Sequence, residues 1–116
     1  MIPGLRDVLG LILMSKQKKT SFPEPVVEKG VELFAALAHP IRLRILLELR
    51  DHGTLSVGNL SEILKIEQSS MSHQLAILKR THLVKSNVEG KSRMYELADK
   101  HVAHIVGDAL IHVDEA

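Results

Sequence analysis

The chain has 116 residues, 45% of them apolar but with only two Phe, one Tyr and no Trp, and its formal net charge is +1. That length holds one modest core and not two, and Leu, Ile, Val and Ala are the side chains available to fill it. The absence of cysteine excludes disulfides, thiolate metal sites and sulfur redox chemistry, so any bound metal must take histidine and carboxylate ligands.

Residues 1–25 read as an N-terminal extension or leader, and 26–116 as a single domain. The apolar run from Val8 to Met14 is too short to span a bilayer and lacks a basic start with a small-residue cleavage site. Neither export nor a membrane partner is expected, and the chain is placed in the cytoplasm. Met14 and the polar string after it resemble a natural start, which would make residues 1–13 an upstream extension. An extra helix packing on a dimer is the other reading. Lys16 to Pro25 is polar and broken by Pro23 and Pro25, so it is expected as loop.

From Val26 the apolar residues Val27, Val31, Phe34, Ala35 and Leu37 recur at helical spacing. Pro40 suits the first turn of a second helix, because its missing N–H costs nothing there. That helix carries Ile41, Leu43, Ile45, Leu46, Leu47 and Leu49 as the central core element and ends at Asp51-His52-Gly53. Ser56 is placed to cap a third helix through Leu60, Ile63 and Leu64.

After a break at Lys65 to Gln68, a fourth helix reads SSMSHQLAILKRT. Met71, Leu75 and Leu78 fall on its inner face, leaving Ser69, Ser70, Ser72, His73 and Gln74 outside. Two short helices joined by a tight turn form a helix-turn-helix, and such side chains reach base edges and phosphates in a major groove without bulk. An ordinary amphipathic helix with a solvated face has the same pattern. Leu83 to Val88 and Ser92 to Leu97 then read as two strands turned by Glu89-Gly90-Lys91. A basic-tipped hairpin after a helix-turn-helix is a wing, whose Lys91 and Arg93 would meet phosphates. The charge supports this: between Lys65 and Tyr95 six Lys/Arg, Lys79 among them, stand against two acids. The partner expected is double-stranded DNA.

The last helix carries Asp99 and His101 two apart, then His112 and Glu115 three apart. At about 1.5 Å of rise per residue the two histidines lie roughly 16 Å apart along the axis, whereas a shared divalent metal needs bonds of about 2 Å. One helix cannot close the site. Eleven residues is nevertheless close to three turns, so both histidines share a face. A second copy running antiparallel would bring each pair against the other's complement, giving two identical metal sites that exist only in a dimer. His101, His104, Asp108, His112 and Glu115 all fall within a sector of about 80°, beside an apolar stripe of Val102, Val106, Ala109 and Val113. A solvated interface helix has the same look, with Asp99 merely its N-cap and Glu115 a frayed end. His104 and Asp108 are supplementary ligands or subunit contacts. Two imidazoles and two carboxylates suit tetrahedral zinc, and cobalt or nickel given extra ligands or waters. Six-coordinate nickel would draw on further histidines, but only Ala116 follows Glu115, so zinc is favoured. Glu96, Asp99, Asp108, Asp114 and Glu115 against Lys100 attract cations generally.

The segment AALAHPIRLRILLEL, the string SSMSHQLAILKRTHLVK, the wing EGKSRMYEL and the Asp99-Lys100-His101 opening together resemble the ArsR/SmtB family of bacterial metal-sensing repressors. The resemblance covers Val31 to Glu115, about three quarters of the chain. It implies a mainly α winged helix-turn-helix with a small β-hairpin, dimerised through its first and last helices. It further implies a repressor that binds an inverted-repeat operator and is released by zinc. The family's zinc pattern, Asp-x-His, ten residues, His, two residues, then His or Glu, falls on Asp99, His101, His112 and Glu115. The family's cysteine site is absent, its segment reading Leu55-Ser56-Val57-Gly58-Asn59-Leu60. The resemblance also implies that the non-ligating ring nitrogen of His112 bonds backbone at the end of the recognition helix, at a position matched by His82. Read without it, His82 is a partly exposed residue between helix and wing. No nucleophile–base pair or strand-end cluster is present, so an enzyme is not expected. A nickel- or cobalt-responsive regulator, or a metal-independent one, is the competing reading.

Overall fold

The computed structural model describes residues 4, 6–9 and 21–116. The chain divides into two units, Met1–Val31 and Glu32–Ala116. In the first, residues 6–9 form a helical turn, with the Asp7 and Val8 N–H groups donating to the Gly4 carbonyl. Val8 and Leu9 are exposed. The rest of the apolar run, 10–14, and the leader through residue 20 lie outside the described residues.

Helix α1 spans Glu24–Leu37, so it starts before the expected end of the loop at Pro25. Proline is tolerated in a first turn, and the Pro23 carbonyl accepts from the N–H groups of both Val26 and Val27. Helix α2 spans Pro40–His52, with His39 as its N-cap. The His39 Nδ1 accepts from the Ile41 N–H at 3.2 Å, satisfying one of the donors that a helix start leaves unpaired. Gly53, at φ 87°, ends α2, its N–H donating to the Leu49 carbonyl.

Ser56 and Asn59 cap α3 (Val57–Leu64) reciprocally: the Asn59 N–H donates to Ser56 Oγ at 3.0 Å and the Ser56 N–H to Asn59 Oδ1 at 3.1 Å. This is the capping-box arrangement with Asn in place of Glu or Gln. Lys65 closes α3 in the left-handed region at φ 57°, and α4 follows over Gln68–Arg80. At its end the His82 N–H donates to the Lys79 carbonyl and the Leu83 N–H to the Leu78 carbonyl, with His82 at φ 61°. Those two bonds form a Schellman motif.

Strands β2 (Val84–Glu89) and β3 (Ser92–Leu97) form the wing, turned at Gly90, whose φ of 64° favours glycine. The expected two-stranded hairpin is enlarged by one element. A three-residue strand, β1 (Thr54–Ser56), pairs antiparallel with β3, giving the sheet order β1-β3-β2. Thr-Leu-Ser is too short to show a period of two, so its pairing is fixed by the tertiary fold rather than by local pattern.

Helix α5 (Lys100–Glu115) packs on α2 and β3. Ile45, Leu46 and Leu49 of α2 meet Leu60 of α3, Met71, Leu75 and Leu78 of α4, and Val102 and Val106 of α5 in one core. The three inner residues expected of the recognition helix, Met71, Leu75 and Leu78, are fully buried. They anchor α4 with its opposite face outward.

Candidate nucleic-acid interface and metal centre

Because α4 buries the 71, 75, 78 stripe, its remaining positions face out at helical spacing. Ser69, Ser70, Ser72 and His73 are exposed on the N-terminal half of α4. Ser69 Oγ donates to Glu67 Oε1 at 2.7 Å, across the helix start. Gln74 is placed differently from its neighbours. It is half-buried, and its Oε1 accepts from Arg42 Nη1 at 3.0 Å. Arg42 Nε also donates to the Ala36 carbonyl at 2.6 Å, so one guanidinium ties the end of α1 to the middle of α4. At the wing, Lys91 is exposed beside Gly90. Arg93 Nη1 donates to Ser86 Oγ at 3.2 Å and Lys79 Nζ donates to the same oxygen at 2.9 Å. The exposed half of α4 and the basic wing thus present small polar groups flanked by cations, which is the chemistry of base edges between phosphates.

On α5, Val102, Val106 and Gly107 are buried, while Asp99, His101, His104, Asp108, His112 and Glu115 are all exposed. The donor face points away from the core. Asp99 is the N-cap, its Oδ1 accepting from the Val102 N–H at 3.1 Å. Capping and metal ligation are compatible, because a carboxylate has two oxygens and the cap uses one. Within one chain the two ligand pairs stay at opposite ends of the helix. Among the described residues no three His, Asp or Glu side chains gather closely enough to hold a metal ion. The donor set therefore fits a metal as two half-sites per chain, each a carboxylate with an imidazole. The outer apolar positions are likewise uncovered: Val113 is 66% and Ile111 51% exposed. Taken by itself, α1 exposes Val26, Val27, Val31 and Phe34.

A family model described as a helix-turn-helix domain matches residues 37–87, from the end of α1 into β2. The chain is 39% identical over 93 residues to the HTH-type transcriptional repressor SmtB of Mycobacterium tuberculosis, a match covering 80% of this chain and 68% of that protein. It is 33% identical over 84 residues to the cadmium resistance transcriptional regulatory protein CadC homolog of Staphylococcus aureus, covering 72% and 69%. The solution structure of apo-NmtR superposes with a TM-score of 0.69 at 35% identity, over 86% of this chain and 83% of that one. The chain belongs to the ArsR/SmtB family of metal-sensing transcriptional regulators.

It is accordingly a winged helix-turn-helix transcriptional regulator and not an enzyme. Among the described residues no helix is long and apolar enough to cross a membrane. Of the residues at this regulator's outer face, Ser86 carries no sequence signal of its own. Ser86 sits in a strand whose pattern reads only as wing, and its role comes from what Lys79 and Arg93 do around it. Arg42 did have a signal: it stands three residues before the fully buried Ile45 and four before the fully buried Leu46, on the core-facing side of α2. A half-buried arginine needs acceptors, and here these are the Ala36 carbonyl and Gln74. His82 is exposed, and its backbone closes α4.

Proposed function

We propose that the protein is a metal-responsive repressor whose dimer binds an inverted-repeat operator and releases it when zinc is held between paired α5 helices. The observation that carries this reading is the placement of Asp99 with His101 and of His112 with Glu115 at opposite ends of one solvent-facing side of α5. Each pair would supply one carboxylate and one imidazole, half of a four-ligand N/O set. An antiparallel second α5 supplies the complement at both ends, giving two sites per dimer. The uncovered Ile111 and Val113, and separately the uncovered apolar stripe of α1, are consistent with a second copy. SmtB carries the name of a repressor and the CadC homolog that of a cadmium-resistance regulator, which supports both halves of the reading.

In this reading Ser69, Ser70, Ser72 and His73 face base edges, with Gln74 behind them holding Arg42, and Lys79, Lys91 and Arg93 face phosphates. When bound, zinc supplies a Lewis-acidic crosslink between subunits, and cobalt or nickel suits the same donors with added ligands or waters. Asp99, His101, His112 and Glu115 hold it. The free ring nitrogen of His112 is the group available to bond backbone near His82 at the end of α4, orienting the imidazole as metal-bound histidines generally are. Affinity for DNA changes only if the effector binds the free and DNA-bound dimer geometries unequally.

The test is a fluorescence-anisotropy titration of an inverted-repeat duplex, selected from a random-sequence pool, with and without stoichiometric zinc. Zinc is expected to weaken binding by about 1 to 3 kcal/mol, 5- to 150-fold. Equal affinities in both conditions contradict release by metal.

A further inference from the structure

Two cations from different elements close on one neutral oxygen at the base of the wing. Lys79, in the last turn of α4, donates to Ser86 Oγ at 2.9 Å, and Arg93 of β3 donates to it at 3.2 Å. The register explains the convergence. Ser86 lies opposite Tyr95, and Arg93 is two residues from Tyr95, so Ser86 and Arg93 share a sheet face as diagonal neighbours. That face receives the end of α4, which packs against β2.

Like charges this close repel unless an anion joins them. Among the described residues the ion pairs are Arg50 with Asp51, His52 with Glu48, and Lys85 with Glu96. Neither Lys79 nor Arg93 is in one. Lys85 makes the contrast: it lies one residue along β2 from Ser86, on the other face, and is neutralised by Glu96 directly opposite. The Ser86 hydroxyl accepts from both cations and keeps its own proton to donate. Ammonium, guanidinium and hydroxyl donors thus surround one position. A tetrahedral oxyanion such as a phosphate matches that donor set.

We propose that Lys79, Ser86 and Arg93 form a single clamp for one backbone phosphate of duplex DNA, so that helix and wing grip the same phosphate rather than two separate ones. This rests on the DNA-binding reading above and deepens it. Lys79 is ten residues beyond Ser69, about 15 Å along α4. The major groove is about 12 Å wide. With the serines of α4 in the groove, the clamp therefore falls on the sugar–phosphate wall and not on a base edge. Its contribution is independent of sequence and fixes how far the wing stands from the recognition helix.

The experiment measures the slope of log affinity against log salt on the selected duplex for the full-length wild type and for Lys79→Met, Arg93→Met, their double variant and Ser86→Asp. Each neutralised phosphate contributes about 0.9 to the slope. If one phosphate is shared, each single variant weakens binding several-fold but lowers the slope by much less than 0.9, because the remaining cation still neutralises that phosphate. The double variant then lowers it by about 0.9 in total. Ser86→Asp places a carboxylate inside the clamp and reproduces the double variant. The clamp is overturned by losses of about 0.9 in each single variant and about 1.8 in the double, which mean two separate phosphates. It is equally overturned by an unchanged slope in the double variant, or by Ser86→Asp binding like wild type. Lys79 and Arg93 are exposed and Ser86 is half-buried, so thermal melts of each variant are the control that its fold matches the wild type. In each of these overturning results the wild type still binds duplex, so the DNA-binding reading survives. A wild type that binds no duplex removes both.

Discussion

Alanine in place of His101 or His112 is expected to lower zinc affinity by more than about 100-fold and to remove the DNA response, with binding of the metal-free dimer to the operator kept within about twofold. Losing even an outer partner of a metal ligand typically costs 10- to 100-fold, and these substitutions remove a ligand itself. The fold is expected to survive, because both imidazoles are exposed and make no hydrogen bond among the described residues, and surface substitutions of this kind stay within about 0.5 kcal/mol. His104→Ala separates ligation from general cation attraction. It lies on the same face, yet outside the four-residue set, and should cost far less. Isothermal titration with zinc reads affinity and stoichiometry. Wild-type affinity in both His101→Ala and His112→Ala would place the ligands elsewhere.

Leu75→Ala is expected to destabilise the protein by about 2 to 5 kcal/mol, the range for leucine truncations that leave a cavity in a closed core. Leu75 is fully buried on α4, between Met71 and Leu78 on the stripe that holds the recognition helix against α2 and α3. A domain of this size has only about 5 to 15 kcal/mol in total, so the variant loses much of its margin, and its DNA affinity falls because α4 is no longer held in place. Leu75→Met, which nearly conserves volume, should cost less than about 1.5 kcal/mol. Urea unfolding at fixed protomer concentration measures both, the concentration being held constant because a dimer's stability depends on it. A Leu75→Ala midpoint equal to wild type would mean that α4 is not anchored through this stripe.

The elements with strong local chemistry were legible in the chain. Ser56 before α3 and Asp99 before α5 are side-chain oxygens at helix starts, Pro40 fits a first turn, and Gly53 and Gly90 occupy positive φ. Met71, Leu75 and Leu78 are placed inward by period alone. What escaped depends on contacts between distant segments. Strand β1 is three residues long, and it exists because β3 offers an edge beside it. Gln74 belongs to the outer half of α4 by helical arithmetic, yet Arg42, 32 residues away, reaches it and ties it to α2. Ser86 gains its role only when α4 and β3 converge on it. Periodicity also cannot tell which body an apolar stripe packs against. Val27, Val31 and Phe34 recur as a core-facing helix would, but they are exposed in the single chain. Val113 likewise extends the stripe that Val102 and Val106 bury, without being covered itself. The proposed ligands are the converse case: the spacing of Asp99 and His101 from His112 and Glu115 along one helix is itself what excludes closure within one chain.

That incompleteness allows a direct test by complementation. Homodimers of His101→Ala and of His112→Ala each lack one ligand at both sites. A mixed dimer of the two, isolated with different affinity tags, brings the intact Asp99 and His101 of one protomer against the intact His112 and Glu115 of the other at one end, and both lesions together at the other end. Titrated with cobalt, the mixed dimer is expected to recover one intense, four-coordinate absorption site per dimer, while neither homodimer shows any. A mixed dimer as silent as its parents would contradict ligands shared between subunits.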